Sequence, residues 1–369
     1  MSTCTKASGW NRAGLGALLL LLPLFLGACD DNPTDPDGNG TAGADTLALV
    51  AEIPVGSEPL GIAVAGDYWV VANHMTVAGE SNTLMVIDPA TLAVIDTADF
   101  TGNPEDIVWV PGSGEVWVSD DASRRVRIYS VPDLNYIDTA TMQGEGDPDW
   151  YGYPAGLIYD SDNGGTIWGI EEFSGYLTGF SPLTAAITDT FRYRPFRGYG
   201  TGFSFPTGIS LAVDTTRDLL FIGNIDDRRL EVVSTATMTK VDSLVWDPGY
   251  YVNFVFADPV NGHIMVNERT SSFGEGIMRV YDMDDLSLYR EVSIPDWPDY
   301  GGIAWVTEGA QVVLATGNTL TEFSTPDYTK LTQTTLPANP VRVAYDATRE
   351  YYLVTFRYED MVRVYQVPE

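Results

Sequence analysis

The chain has 369 residues, of which 44% are hydrophobic and 12% aromatic, so a large core can form. Its formal net charge of −31 argues against nucleic acid as a partner, because so acidic a surface repels phosphate backbones; cations, basic partners or plain solubility fit it better. Two cysteines and two histidines exclude a histidine-rich zinc site, and no long stretch carries the period of an amphipathic helix.

In chain order, Lys6 and Arg12 precede an apolar run from Ala13 to Leu26, too short to span a bilayer as a stable helix. The run ends in Leu26-Gly27-Ala28-Cys29. This order of charge, apolar run and motif resembles a bacterial lipobox. The resemblance implies a signal peptide over 1–28 and a diacylglycerol on Cys29. Cys29 is then the single cysteine of the mature chain, so neither a disulfide nor a catalytic thiol is expected. Residues 29–45 lack an apolar pattern and read as a flexible acidic tether. The expected location is the cell envelope, with the outer membrane or cell surface favoured over the inner membrane. Asp30 resembles a retention residue of inner-membrane lipoproteins in some bacteria, which leaves the membrane open.

From residue 46 to 369 one pattern returns. NTLMVIDPATLAVIDT (82–97) recurs without gaps as RRVRIYSVPDLNYIDT (124–139) and GYLTGFSPLTAAITDT (175–190), then from residues 228, 276 and 318, and again from Asp360. Each copy is two alternating apolar runs around a turn of Asp, Pro, Ser or Thr, the signature of a β-hairpin. A second pair of runs lies upstream of each, as in PLGIAVAGDYWVVAN (59–73) and PVRVAYDATREYYLVTF (340–356); the fifth starts near Val252 and the sixth near Tyr300. Four strands in a period of about 46 residues predict propeller blades. DTLALVAEI (45–53) matches the second strand of the hairpin and completes the seventh unit. The predicted fold is therefore all-β: a seven-bladed β-propeller of four-stranded antiparallel blades over 46–369, the last blade closed by the N-terminal strand.

The first unit carries Pro59, Gly61, Ile62, Val64, Val71, Ala72, Asn73, Val86, Ile87, Asp88 and Thr91, and on these residues the chain resembles the YVTN-type seven-bladed propellers. That resemblance implies architecture rather than activity. It also implies that the loops before the inner strands and those after the second strands share the face that carries most propeller sites. On that face, residues 147–153, 191–205, 246–251 and 295–302 are rich in Trp, Tyr and Phe, and Arg192, Arg194 and Arg197 fall close together. Aromatic faces stack at low entropy cost and arginines add planar donors. Trp150, Tyr193, Arg194, Arg197, Tyr250, Tyr251, Trp297 and Tyr300 are therefore candidate ligand-binding residues, although the same rings could pack on one another and seal the loops. Inner strands usually start with glycine, at Gly61, Gly156, Gly208 and Gly302; Asp106, Phe254 and Arg342 depart from this, which adds Asp106 and Arg342 to the candidates.

His74 and His263 are expected on opposite faces, and no serine-centred motif accompanies either, so nucleophilic hydrolysis is poorly supported. A carboxylate-and-amide calcium site stays open, with Glu58, Glu105, Asn253 and Glu268 as candidate ligands. The expectation is a lipid-anchored protein that binds rather than catalyses. Its partner would be a small molecule such as a corrinoid or glycan, or a peptide or protein. By resemblance to propeller lipoproteins that capture nutrients, an outer-membrane transporter is an expected partner. A metal-dependent lactonase-like hydrolase and an envelope protein-assembly scaffold are the alternatives.

Overall fold

The computed structural model describes residues 47–74, 82–120, 122–123, 125–143, 154–171, 175–193, 211–224, 228–246, 250–270, 276–294 and 301–366; the side chains of 155, 163, 250, 251, 253 and 268–270 fall outside that description. The leader, Cys29 and the tether lie outside the described residues.

Seven four-stranded antiparallel sheets follow one another along the chain. Blade 1 runs outward through Pro59–Ala65, Tyr68–Asn73, Thr83–Asp88 and Ala93–Asp99. Blades 2 to 6 open with inner strands Pro104–Val110, Pro154–Asp160, Leu211–Asp214, Tyr250–Asp258 and Gly301–Thr307. The fifth thus starts two residues before the expected Val252. Blade 7 consists of Arg342–Asp346, Tyr351–Phe356 and Met361–Gln366, with Ala48–Pro54 as its outer strand. Ala48 pairs with Gln366 and Pro54 with Met361, so the N-terminal strand closes the ring as its sequence pattern predicts.

Burial explains the difference between strand types. Second strands have a blade on either side, and YWVVAN (68–73) is buried at every position after the first. They therefore read as continuous apolar runs. Outer strands have one dry face, and AVIDTAD (93–99) alternates between exposed and half-buried. Seven buried clusters fill the seams, one between each pair of neighbouring blades. The seam between blades 7 and 1 holds Ile53, Trp69, Val71, Ile87, Leu353, Val362 and Val364. Each such side chain contributes about 1.5–3 kcal/mol relative to exposure, and the ring distributes that gain over every blade.

A second device recurs in the turns between third and fourth strands. Leu92, Leu134, Ala185, Met238, Leu286 and Tyr328, one per blade from 1 to 6, all have φ between 44° and 55°. This left-handed conformation is unfavourable for residues with a Cβ. Each of the six side chains packs into, or against, the cluster shared with the preceding blade. Seam burial offsets the backbone cost. Every blade also carries one register shift between its two outermost strands, the mark of a bulge, which twists the exposed edge away from further strand pairing.

Candidate functional site

Antiparallel blades put two kinds of connection at opposite ends of the ring. One end has only tight turns, such as residues 66–67 and 347–350. The other gathers the connections between blades and those after the second strands, among them residues 55–58, 100–103 and 357–360. His74 follows the second strand of blade 1 at this connection-bearing end, whereas His263 begins the second strand of blade 5 at the turn end. The two histidines cannot meet in one site.

At the connection-bearing end the inner strands converge on the central channel. Pairing aligns Gly61 with Ala72, Gly156 with Ile170, Phe254 with Asn267, Gly302 with Ala315 and Arg342 with Thr355. The glycines answer to close approach. A Cβ on Gly61 would lie 3.0 Å from the Glu105 carbonyl oxygen, and one on Gly302 would lie 2.7 Å from the Val343 nitrogen. Phe254 instead fills the seam with Ile303 and Leu314 of blade 6, so its departure from glycine serves packing.

Asp106 makes its departure with a hydrogen bond. Its Oδ2 accepts the Leu157 N–H of blade 3 at 2.8 Å, and its own N–H donates to Ser119 Oγ at 2.8 Å. The carboxylate lies deep among protein atoms yet keeps an accessible edge, as a group lining a narrow channel does. Burial pushes its pKa above the ordinary value, while the charge of Arg342 and the N–H donors of Leu157 and Ile107 pull the other way.

Arg342 is only 7% exposed. Its N–H donates to Thr355 Oγ1 at 3.1 Å, Thr355 reaches the Leu60 carbonyl of blade 1 at 3.5 Å, and Nη1 donates to the Val341 carbonyl at 3.2 Å. Its Nε is buried and has no acceptor among the described residues. No ion pair joins it to Asp106 among the described residues.

Further out, Arg357 of blade 7 pairs with Glu58 at 2.6 Å and lies 5.5 Å from the Tyr358 ring centroid. Glu58 takes the Asp360 carboxylate on its N–H at 3.0 Å, and its carbonyl accepts the His74 N–H at 3.0 Å. Burial, then Arg357, holds the His74 pKa below 6.5, with Glu58 opposing.

The remaining sequence candidates divide as follows. Tyr193 ends the described part of its connection; its hydroxyl donates to the Glu171 carbonyl, its N–H donates to the Gly175 carbonyl at 2.9 Å, and its ring packs on the seam of blades 3 and 4. Trp150, Arg194, Arg197, Trp297 and Tyr300 lie outside the described residues, as do the side chains of Tyr250 and Tyr251. Of the calcium candidates, Glu58 is engaged by Arg357, and the side chains of Asn253 and Glu268 lie outside the description. Among the described residues, no group of three or more His, Cys, Asp or Glu stands where it could hold one metal ion, Glu105 included.

Sequence reasoning missed Asn267, Thr316 and Thr321. All three are almost fully buried, and among the described residues neither amide atom of Asn267 nor either hydroxyl has a partner. Alternation along their strands turns them toward the same seam as Met265, Leu314 and Phe323, between blades 5 and 6. Aligning the repeats would have flagged Asn267, since blades 1, 4 and 6 have Ala72, Gly223 and Ala315 at that place.

The fold and the convergence of polar groups at one end define a propeller scaffold suited to binding. No protein-family model matches the chain, and no curated protein matches it in sequence.

Proposed function

We propose that the protein is a lipid-anchored binding propeller of the bacterial cell envelope, of the YVTN type, that receives its ligand at the connection-bearing end. The observation that carries this reading is the contrast between the ends: the connections between blades and most of the buried polar atoms that have no partner among the described residues, Asn267, Thr316 and Arg342 Nε among them, belong to one of them. Buried polar groups without partners are costly for stability and are retained where something else needs them. Leu26-Gly27-Ala28-Cys29 after an apolar run supports the anchor, with 1–28 as signal peptide and 29–45 as tether. The ligand is a small molecule or peptide, and an outer-membrane transporter is the partner that would take it onward.

Two measurements on protein purified from its own membranes test the reading. Mass spectrometry should find an acylated N-terminus at Cys29, lost together with membrane association in Cys29→Ala. It should also find a small molecule or peptide that leaves with the folded propeller and is released on denaturation. An unacylated N-terminus elsewhere removes the anchor, and a propeller that carries and takes up nothing removes the binding role.

A further inference from the structure

Arg342, Gly61 and Asp106 occupy the same position on the inner strands of three consecutive blades, 7, 1 and 2. The guanidinium of Arg342 cannot lose its charge. Nη1 is held by the Val341 carbonyl, while Nε is buried without an acceptor, and among the described residues Nη2 meets none. Nε–H and Nη2–H form one edge of the group, the edge that grips both oxygens of a carboxylate side-on.

Asp106 does not fill that edge. It feels the charge of Arg342, but the two make no ion pair, and one of its oxygens is committed to the Leu157 N–H. Between them stands Gly61, whose missing side chain lets the Glu105 carbonyl and the Ile107 nitrogen of blade 2 pack close. A positive and a negative group thus stand on the inner strands of blades 7 and 2, close enough for the charge of one to act on the other but without an ion pair between them. A lone cation would meet Arg342 and a dianion would meet Asp106, so neither fits both. A molecule bearing one charge of each sign does.

We propose that the channel mouth binds a small zwitterion of the amino-acid class, its carboxylate on Nε and Nη2 of Arg342 and its ammonium directed to Asp106. The proposal rests on the binding reading above and names the ligand chemistry of that end.

Isothermal titration of the full chain with glycine, β-alanine and 4-aminobutyrate, which differ in charge separation, tests it against acetate and methylammonium. At least one zwitterion should bind, ten-fold or more tightly than acetate or methylammonium. Arg342→Gln and Asp106→Asn should each weaken it ten-fold or more. Asp106→Asn keeps an acceptor for Leu157, and Arg342→Lys keeps the charge but not the two-donor edge, so a weakened Lys variant with an unchanged melting temperature separates recognition from folding. Zwitterion binding that survives these changes, acetate binding as tightly, or no binding of any zwitterion overturns the proposal. If a molecule without a carboxylate co-purifies and stays with Arg342→Gln, the binding reading stands and this inference falls. If nothing binds at all, both fall.

Discussion

The two ends of the ring treat buried polar groups differently. At the turn end, Asp160, Asp214, Asp258 and Asp346 close the inner strands of four blades, all buried and all satisfied. Asp346 accepts the Trp69 indole N–H of blade 1 at 2.9 Å, Arg349 at 2.9 Å and the Thr348 N–H at 2.9 Å. Asp258 accepts Tyr328 of blade 6 at 3.1 Å and the Asn261 amide at 2.9 Å. Asp214 holds Arg217 at 2.7 Å, and Arg217 continues to the Pro259 carbonyl of blade 5 at 3.3 Å. At the other end some groups are equally well matched, as Asp120 is with Arg127 at 2.8 Å, but Asn267, Thr316 and the Nε of Arg342 are not. The turn end staples neighbouring blades together. The connection-bearing end carries polarity that the fold does not require.

The strongest challenge to that division is to cut the element that runs between both ends. Deleting 47–54 removes Leu47 and Ile53 from two seams, breaks the 2.7 Å ion pair of Glu52 with Arg363, and bares the edge of Met361–Gln366. Loss of the two apolar side chains alone should cost roughly 3–6 kcal/mol. Calorimetry should show one transition, far below that of the parent. A truncated ring that melts with the parent would mean that the turn-end staples hold the blades without closure.

Next in size is the turn end itself. Asp346→Ala leaves the buried Trp69 N–H and the Thr348 N–H without their acceptor and should destabilise by about 2–3 kcal/mol in urea unfolding, with the slope unchanged. The same experiment at the other end should change sign. Thr316→Val and Asn267→Leu replace unpaired buried groups with apolar ones of similar size, and each should be neutral or stabilising by about 1 kcal/mol. Should Thr316→Val cost as much as Asp346→Ala, its hydroxyl is satisfied by an internal water, and the two ends do not differ.

Much of this contrast was open to reading in the sequence, and the reasons it was not complete are physical. The hairpin repeat was legible because each blade solves one burial problem, with dry second strands and half-wet outer ones, so YWVVAN and AVIDTAD carry different periods. Asp106 and Arg342 stood out against glycines that close backbone approach demands. Leu92, Leu134 and their equivalents did not, since an apolar residue in a turn looks like the start of the next strand; only the seam explains its left-handed backbone. Asn267 did not stand out either, because a polar residue before Glu268 and Arg269 looks like the start of a loop, whereas the second strand runs on to Thr270 and buries it. The Trp69–Asp346 staple joins residues 277 positions apart, beyond the reach of any local pattern.

The finest distinction between the ends is carried by the two histidines. Burial lowers both pKa values below 6.5. At the turn end, Asp258 and Asp282 oppose the shift of His263. Tyr328 gives its proton to Asp258, so His263 Nδ1 must be the donor in its 3.1 Å bond to Tyr328. At the other end Arg357 reinforces the shift of His74, and among the described residues only Glu58 opposes it and the buried Nδ1 has no partner. A histidine whose native pKa is depressed stays neutral in the fold while the unfolded chain takes up a proton. Stability is therefore unaffected above about pH 6.5 and falls as the pH drops below it, until the native pKa is passed. His74→Gln should flatten part of that fall, and His263→Gln should flatten part of it while also losing the Tyr328 bond. In a proton NMR titration the two imidazoles are the only ones present, and both should titrate below 6.5. Glu58→Gln should move His74 lower still and leave His263 in place, because it removes a charge that favours the imidazolium. Asp282→Asn should do the reverse. If Glu58→Gln raises the His74 value, or moves both histidines together, the cluster at the connection-bearing end does not act on His74 as a local field.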